Sequence, residues 1–261
     1  MSALALRQTA ALAHRSVTVT LRQPDVWFPG IFFPLVLMAI FSASFGEAPG
    51  RIAGFPQVNG FLDFALAGAV LQGAISPATG AAGAFANDLE GGFLDRLVAS
   101  PASRVAVLGG RLAGAAAIAV AQTAVFVAVA LVFGARAEGG AEGLLALVTT
   151  AALVTVAVGG LGIVLALRTG SAEAVQGTFP LYFALIFFSS AFFPRETMHG
   201  WFRAVADANP ISHLVEGMRA GIIGGAEGGS AGTALAIAAG LAALGLAGSA
   251  LALRGRLRRG S

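Results

Sequence analysis

The fold is decided by a charged island between two long apolar segments, and it reads Asn87-Asp88-Leu89-Glu90-Gly91-Gly92-Phe93-Leu94-Asp95-Arg96-Leu97-Val98-Ala99-Ser100-Pro101-Ala102-Ser103-Arg104. Five of these residues are charged. A single charge in the middle of a bilayer costs about 2.5–3.5 kcal/mol. We therefore expect the island to lie in water at a membrane surface, and the apolar segments on either side to cross the membrane.

A short amphipathic helix is expected inside the island. Its apolar residues share one helical face and its charges lie largely opposite. The apolar residues are Phe93, Leu94, Leu97 and Val98. Gly91 and Gly92 interrupt the chain before this helix, and Pro101 follows it. A helix held between two spans is suited to contacting another protein, and an ordinary cytoplasmic loop fits the pattern equally well.

The composition is that of an integral membrane protein. Of 261 residues, 57% are hydrophobic and only 11% are charged, and the mean hydropathy is +0.82. Soluble domains carry about 25% charged residues. We therefore expect an all-α membrane protein, with no binding of nucleic acid.

Missing residue types exclude several activities. The sequence has no Cys, which excludes disulfides and thiolate metal sites, and all 16 basic residues are Arg. A phosphate-binding loop of the GxxxxGK[ST] type needs a Lys, so any ATP hydrolysis is expected on a different polypeptide. His213 and Glu216 are spaced to share a helical face, but two ligands without a third make a weak metal site. We expect neither a metal nor a catalytic residue.

Six apolar stretches are expected to be transmembrane helices, at about residues 26–45, 58–86, 104–133, 143–167, 177–193 and 230–253. The chain then divides into an N-terminal amphipathic interfacial helix (1–25), a six-span domain (26–253) and a basic tail (254–261). Within the domain, residues 194–229 are expected to form two short amphipathic helices broken at Asn209-Pro210. Gly159, Gly160 and Gly162 are expected to let a neighbouring helix approach the fourth span closely.

The N-terminal helix is basic on one side and apolar on the other. Such a helix just before a span is typical of one that lies on an anionic membrane leaflet. The alternative is a helix packed against the rest of the protein.

The arginines predict the orientation in the membrane. Eleven of the sixteen fall in the termini and in the loops at 87–104 and 168–176, counting Arg111 with them, and five fall on the opposite side. Since positive charge is enriched in cytoplasmic loops, both termini and the charged island are expected to be cytoplasmic. The segment 194–229 is then expected to be outside.

Few residues within the spans suggest a transport route. Asp63 is an acid inside an apolar run, where it could line an exit path, pair with an Arg, or simply lie at the interface. Aromatic stripes of helical spacing occur in the first and fifth spans. Their members include Phe28 and Phe32, then Phe179, Phe183 and Phe187. Such stripes more often face lipid or a neighbouring helix than a ligand.

Two motifs carry a resemblance to a known family. Glu90-Gly91-Gly92-x-x-Asp95-Arg96-Leu97-x-x-Ser100-Pro101-x-Ser103-Arg104 resembles the loop between the second and third spans of type-2 ABC exporter permeases, most of all the bacterial daunorubicin-resistance type. Asn209-Pro210-Ile211-Ser212-His213 followed by Arg219 resembles the outer segment before the last span. Three departures are Gly92 for a usual Thr, Asp95 for a usual Glu, and the absence of a usual Pro near Ala67-Gly68.

The resemblance implies a permease with a coupling helix, residues 90–102, that docks on a separate ATPase subunit. The implied coupling residues are Glu90, Phe93, Leu94, Asp95, Arg96, Leu97, Pro101 and Arg104. The implied pathway candidates are Asp63, Phe32, Phe179, Phe183 and Phe187, and the outer motif residues are Asn209, Pro210 and Arg219. For Arg219 we expect a cap or a salt bridge to Glu216 or Asp207.

The resemblance further implies a homodimer in the bacterial cell membrane, with two ATPase copies that hold ATP and Mg and no cofactor in this chain. The expected cargo is a hydrophobic or amphipathic small molecule such as a drug or antibiotic. Alternatives are export of a lipid or lipid-linked glycan by the same machinery, and an ATP-independent transporter or scaffold.

Overall fold

The computed structural model describes residues 3–52, 55–56, 58, 60–92, 104–224 and 229–259. Over these residues the chain is helical and has no strand. Its helices are α1 (Ala3–Leu21), α2 (Pro24–Phe45), α3 (Ala48–Arg51), α4 (Phe61–Glu90), α5 (Arg104–Val132), α6 (Gly140–Thr169), α7 (Ala172–Gln176), α8 (Phe179–Phe187), α9 (Gly200–Ala208), α10 (Pro210–Ile223) and α11 (Gly229–Arg259). A 3₁₀ turn at Arg195–Thr197 precedes α9.

Five helices of the described chain are long and apolar enough to cross a membrane: α2, α4, α5, α6 and α11. They contain 22 to 31 residues each. At 1.5 Å per residue even the shortest spans the roughly 30 Å of hydrocarbon. The prediction of a multi-span helical protein is confirmed, and five of the six expected spans have such a helix.

The fifth expected span, 177–193, is not one long helix. Within this range the structure has only the short helix α8, which has nine residues, or about 13.5 Å, followed by turns and a short 3₁₀ turn. Pro180 lies in the first turn of α8, where its missing N–H and fixed φ favour a helix start. The apolar run at 177–193 therefore does not form the predicted spanning helix, and no described helix in this region is long enough to cross a membrane.

The centre of the bundle is α4, which packs against α2, α5, α6 and α10. Small residues bring the backbones close. A Cβ at Gly73 of α4 would collide with the ring of Phe126 on α5. A Cβ at Gly160 would lie 2.6 Å from the carbonyl carbon of Gly245 on α11, and one at Gly162 2.5 Å from Ala82 on α4. The expected close approach to the fourth span is confirmed, with α4 on one side and α11 on the other.

The N-terminal helix α1 packs against α5. A Cβ at Gly110 would lie 2.5 Å from Leu12, and one at Gly114 2.7 Å from Ser16. One side of α1 is therefore packed against the rest of the protein, as the second of the two alternatives for this helix predicts. Arg7 and His14 on its other side remain exposed, so contact with an anionic leaflet stays a prediction.

Two more expectations concern the C-terminal basic tail and the segment 194–229. The residues assigned to a separate basic tail, 254–261, continue α11 as far as Arg259, and Arg256 donates to the carbonyl of Leu167 at 3.1 Å at the end of α6. The break at Asn209-Pro210 is confirmed, since α9 ends and α10 begins there. However, α10 is not a surface helix: it packs on α4, α6 and α11 and is largely buried.

Candidate transport cavity and coupling surface

A cavity of about 910 Å³ lies between α1, α2, α4, α5 and α8. Small-molecule sites in proteins typically enclose about 300–1,000 Å³. Its aromatic wall is built by Phe33 of α2 with Phe179 and Phe183 of α8; the rings of Phe33 and Phe183 lie 5.6 Å apart and those of Phe179 and Phe183 5.0 Å apart. The cavity has room for a drug-sized molecule.

The expected aromatic stripes divide between the cavity and the surface. Phe179 and Phe183 line the cavity. Phe32 and Phe187 lie outside it, and each has about half of its surface exposed. Phe32 stacks on Phe28 with ring centres 5.3 Å apart, and Phe187 lies 4.9 Å from Phe192.

Polar residues line the end of the cavity that is farthest along α4 and α5 from the Asp88 and Arg111 positions. Gln72 and Gln122 are 7% and 3% exposed, and Ser76 lies one turn from Gln72 on α4. The sequence did not predict a role for these amides, because charge and aromatic spacing were the signals used to choose candidate residues. The available signal was a neutral amide inside an otherwise apolar span.

An ion pair closes one edge of the cavity. Arg111 of α5 pairs with Asp88 near the end of α4, and its guanidinium lies 5.7 Å from the centre of the Phe85 ring. Both residues of the pair line the cavity and are partly buried. The pair ties α5 to the first residues of the charged island, where α4 ends.

The end of α4 is tied to the next loop by a predicted coupling residue. The Glu90 carboxylate accepts the backbone N–H of Ala172, the first residue of α7, at 2.8 Å. The N–H groups of a first helical turn lack partners within the helix, so a carboxylate there satisfies a donor and the helix dipole together. Glu90 therefore connects the charged island to α7.

The rest of the expected coupling helix lies outside the described residues. This applies to Phe93, Leu94, Asp95, Arg96, Leu97 and Pro101, so their roles stay predictions. Arg104 begins α5. The interruption before this segment is confirmed: α4 ends at Glu90, and Gly92 has a φ of +63°, which favours glycine.

Asp63 lies in the first turn of α4 and is buried, with 2% exposure. It accepts the backbone N–H of Arg136 at 2.9 Å, in the loop between α5 and α6. It does not line the cavity. This geometry gives the acid a structural contact with that loop, and a place on a transport route stays a prediction.

In the outer motif, the side chain of Asn209 makes hydrogen bonds to backbone groups of two helices. The Asn209 side chain accepts the N–H of Ile211 at 2.9 Å and donates to the carbonyls of Leu185 at 2.7 Å and Phe188 at 3.0 Å. It therefore caps the start of α10, where Pro210 is the first residue, and satisfies carbonyls at the end of α8.

Arg219 of α10 is buried, with 5% exposure. Its guanidinium lies 3.5 Å from the centre of the Phe64 ring and donates to the carbonyls of Phe64 at 3.2 Å and Ser190 at 2.9 Å. Burial lowers the pKa of Arg219, while the carboxylates of Glu216 and Glu196 raise it, and the group stays cationic at neutral pH.

The expected salt bridge from Arg219 to Glu216 or Asp207 is wrong, because both acids pair with Arg195 instead. His213 is also engaged, with its Nε2 3.1 Å from the carbonyl oxygen of Asp207. Glu216 is held by Arg195 and His213 lies against that carbonyl, and the absence of a metal from this chain stays a prediction.

Comparison with known proteins identifies the family. The ABC-2 type transporter family matches the chain over residues 7–223. This match covers most of the described bundle, from α1 to α10, including the cavity and the outer motif. The chain belongs to the ABC-2 type transporter family, and it is a multi-pass membrane permease.

Individual relatives match over most of this chain. The chain is 29% identical over 215 residues to the daunorubicin resistance ABC transporter permease protein DrrB1 of Streptomyces coeruleorubidus, covering 82% of this chain and 74% of that protein. It is 25% identical over 216 residues to a transport permease named ycf38 of Porphyra purpurea, covering 82% and 73%. A ycf38 permease of Pyropia yezoensis is 26% identical over a similar length.

Proposed function

We propose that this chain is the membrane subunit of an ABC exporter that moves hydrophobic or amphipathic compounds out of the cell, driven by a separate ATPase. Family membership and the similarity to a daunorubicin resistance permease support the transport role. The observation that carries the cargo class is the cavity of about 910 Å³ with its wall of Phe33, Phe179 and Phe183.

The second subunit of the permease is proposed to be another copy of this chain. The strongly apolar helices α2 and α8 leave large side chains exposed on one side of the cavity. These are Phe28, Phe32, Leu181, Leu185 and Phe187. Exposed apolar side chains on two helices that line the cavity suit either lipid or a second copy of the chain. The resemblance of the two motifs to type-2 ABC exporter permeases favours a homodimer with two ATPase copies.

The proposed mechanism is mechanical transmission. ATP binding closes the ATPase dimer and displaces residues 93–99. The displacement reaches α4 directly at Glu90 and reaches α7 through the bond from Glu90 to Ala172. Because α4 carries Gln72 and Ser76 and α7 immediately precedes α8, a movement of both would reshape two walls of the cavity.

The proposed orientation places both termini and the charged island in the cytoplasm of a bacterial cell membrane. At one end of the bundle, Glu90 contacts the start of α7 and Arg256 contacts the end of α6. At the other end, Asp63 contacts the loop that contains Arg136. The Arg-rich segments thus gather at the end that the positive-inside rule assigns to the cytoplasm.

Charge reversal in the coupling segment tests the docking. Asp95→Arg and Arg96→Glu, each in the full chain, are expected to lower copurification of ATP-hydrolysing activity by about tenfold, since a like-charge contact replaces an attractive one. The measurement is ATP hydrolysis per mole of affinity-purified permease. The matched control is Arg136→Glu, an exposed charge at the opposite end, which is expected to copurify normally. Parent-like copurification and export by both island variants would show that the docking proposal is wrong.

A further inference from the structure

The cavity contains polar atoms that the described chain leaves unsatisfied. Nε2 of Gln72 and Oε1 of Gln122 are buried and have no hydrogen-bond partner. Buried polar atoms without partners are rare, because each unmade bond costs about 1–3 kcal/mol. One of these atoms is a donor and the other an acceptor. A group that could both accept and donate would satisfy the two atoms.

These side chains belong to one place in the fold. Gln72 and Ser76 are four residues apart on α4 and therefore share a helical face. Gly30 of α2 brings Gln122 to the same place: a Cβ there would lie 2.6 Å from Cβ of Ser76 and 3.4 Å from Nε2 of Gln122. Ser76 and Gln122 thus meet beside Gly30, and Gln72 lines the same cavity one helical turn away on α4.

The charges of the cavity do not favour an ionic ligand at this place. The charged lining residues are two arginines and two acids: Arg15, Arg111, Asp25 and Asp88. Arg111 and Asp88 pair with each other. At 1.5 Å per residue, Gln72 is about 24 Å along α4 from Asp88, and Gln122 is about 16.5 Å along α5 from Arg111. Asp25 is nearer, about 7.5 Å along α2 from Gly30. The two positive and two negative charges of the lining balance, so the cavity has no net charge that would select an ion. The polar cluster is therefore suited to an uncharged partner.

We propose that Gln72, Ser76 and Gln122 form a subsite that binds an uncharged amide or hydroxyl group of an otherwise apolar cargo. The apolar part of the cargo lies against the aromatic wall of Phe33 and Phe183. This inference rests on the proposed transport function, and it adds the polar group that the cargo must carry.

The test compares two probes that differ by one polar group, pyrene and 1-pyrenecarboxamide. The full chain is placed in lipid nanodiscs, and binding is followed by energy transfer from Trp27, which lines the cavity. Trp201, one of two tryptophans in the sequence and 70% exposed, is changed to Phe in all samples so that Trp27 is the sole donor. Pyrene measures access to the cavity and partition into lipid.

The informative variants are Gln72→Met and Gln122→Met, which keep the side-chain length and remove the hydrogen bonds. Each is expected to weaken 1-pyrenecarboxamide binding by about threefold to tenfold, the range of one net hydrogen bond, and to leave pyrene binding unchanged. The matched control is Gln8→Met, on α1 outside the cavity lining, which should change neither affinity.

Two results would overturn the subsite. Parent-like binding of both probes by the double variant would mean that the amides contact only water. Equal loss of both probes would mean that they shape the cavity without recognising a polar group. Copurification of ATP-hydrolysing activity uses none of these residues, so a failed subsite leaves the proposed function independently testable.

Discussion

Arg219 joins three parts of the chain at one buried point. Its planar guanidinium stacks on Phe64 of α4 and donates to carbonyls at Phe64, Ser190 and Ala191. The segment 188–191 follows α8 as turns, so its carbonyls have few helical partners. A fork of fixed donors suits this task, and a single ammonium does not reproduce it.

Arg219→Met is expected to lower the free energy of unfolding by about 3 kcal/mol or more. The guanidinium then loses its two shorter hydrogen bonds, to the carbonyls of Phe64 and Ser190, and a bond from a charged donor contributes about 1.5–3 kcal/mol. Arg219→Lys should lose less, since it keeps the charge and one donor. Thermal unfolding of the purified chain measures both. The control is Arg203→Met, a half-exposed partner of Asp207, expected to cost under about 1 kcal/mol. Equal melting of the parent and Arg219→Met would contradict this role.

At the residue scale, the sequence predicted where the chain breaks a helix better than it predicted which residues a buried side chain contacts. The Asn209-Pro210 break was confirmed because proline chemistry is local. The predicted salt bridge of Arg219 was wrong, because Arg195 pairs with both of the acids that lie near Arg219 in sequence, Glu216 and Asp207. Gln72 and Gln122 went unnoticed because a neutral amide barely changes the hydropathy of a long apolar run.

Among the elements, the close contact of α6 with α11 depends on glycine. A Cβ at Gly160 would lie 2.6 Å from the Gly245 carbonyl carbon, which is backbone and cannot rotate away. Helices in a membrane associate largely through such close packing. The contact holds α11 against the bundle, although most of α11 is exposed.

Gly160→Ala is expected to destabilise the chain by about 1–3 kcal/mol, as overpacking does. The control is Gly240→Ala on α11, where an added Cβ meets nothing within 4 Å. That change should be neutral or stabilise by up to about 1 kcal/mol, since Ala favours helix over Gly. Thermal unfolding in detergent compares the two. A Gly160→Ala protein as stable as the Gly240→Ala protein would show that the helices can separate without cost.

Two helix ends were predicted well where a glycine follows the run: α4 ends at Glu90 before Gly91, and α6 ends at Thr169 before Gly170. Charge alone did not end a helix, since α11 continues through its arginines to Arg259. The apolar run at 177–193 wrongly predicted a long helix, because hydrophobicity reports burial in lipid or protein and not the continuity of a helix. The burial of α10 was also not predicted. Its helical spacing predicted one apolar face, but the structure buries it among three helices, a tertiary fact that no local pattern contains.

For the whole molecule, orientation can be tested directly because the sequence has no Cys. Arg136→Cys and Arg168→Cys place exposed thiols at the two ends of α6. A membrane-impermeant maleimide is expected to label position 136 only from outside intact cells and position 168 only in inverted vesicles. Asp95→Cys should behave like position 168. Labelling of position 95 in intact cells would reverse the proposed orientation.

The source of energy is the most direct test of the central claim, that this permease moves cargo only when an ATPase drives it. Inverted vesicles containing the chain with its copurified ATPase, and vesicles with the chain alone, are compared for uptake of daunorubicin, the compound named for a relative. We predict uptake that requires both ATP and the ATPase. Uptake by the chain alone, driven by a proton gradient without ATP, would contradict the account.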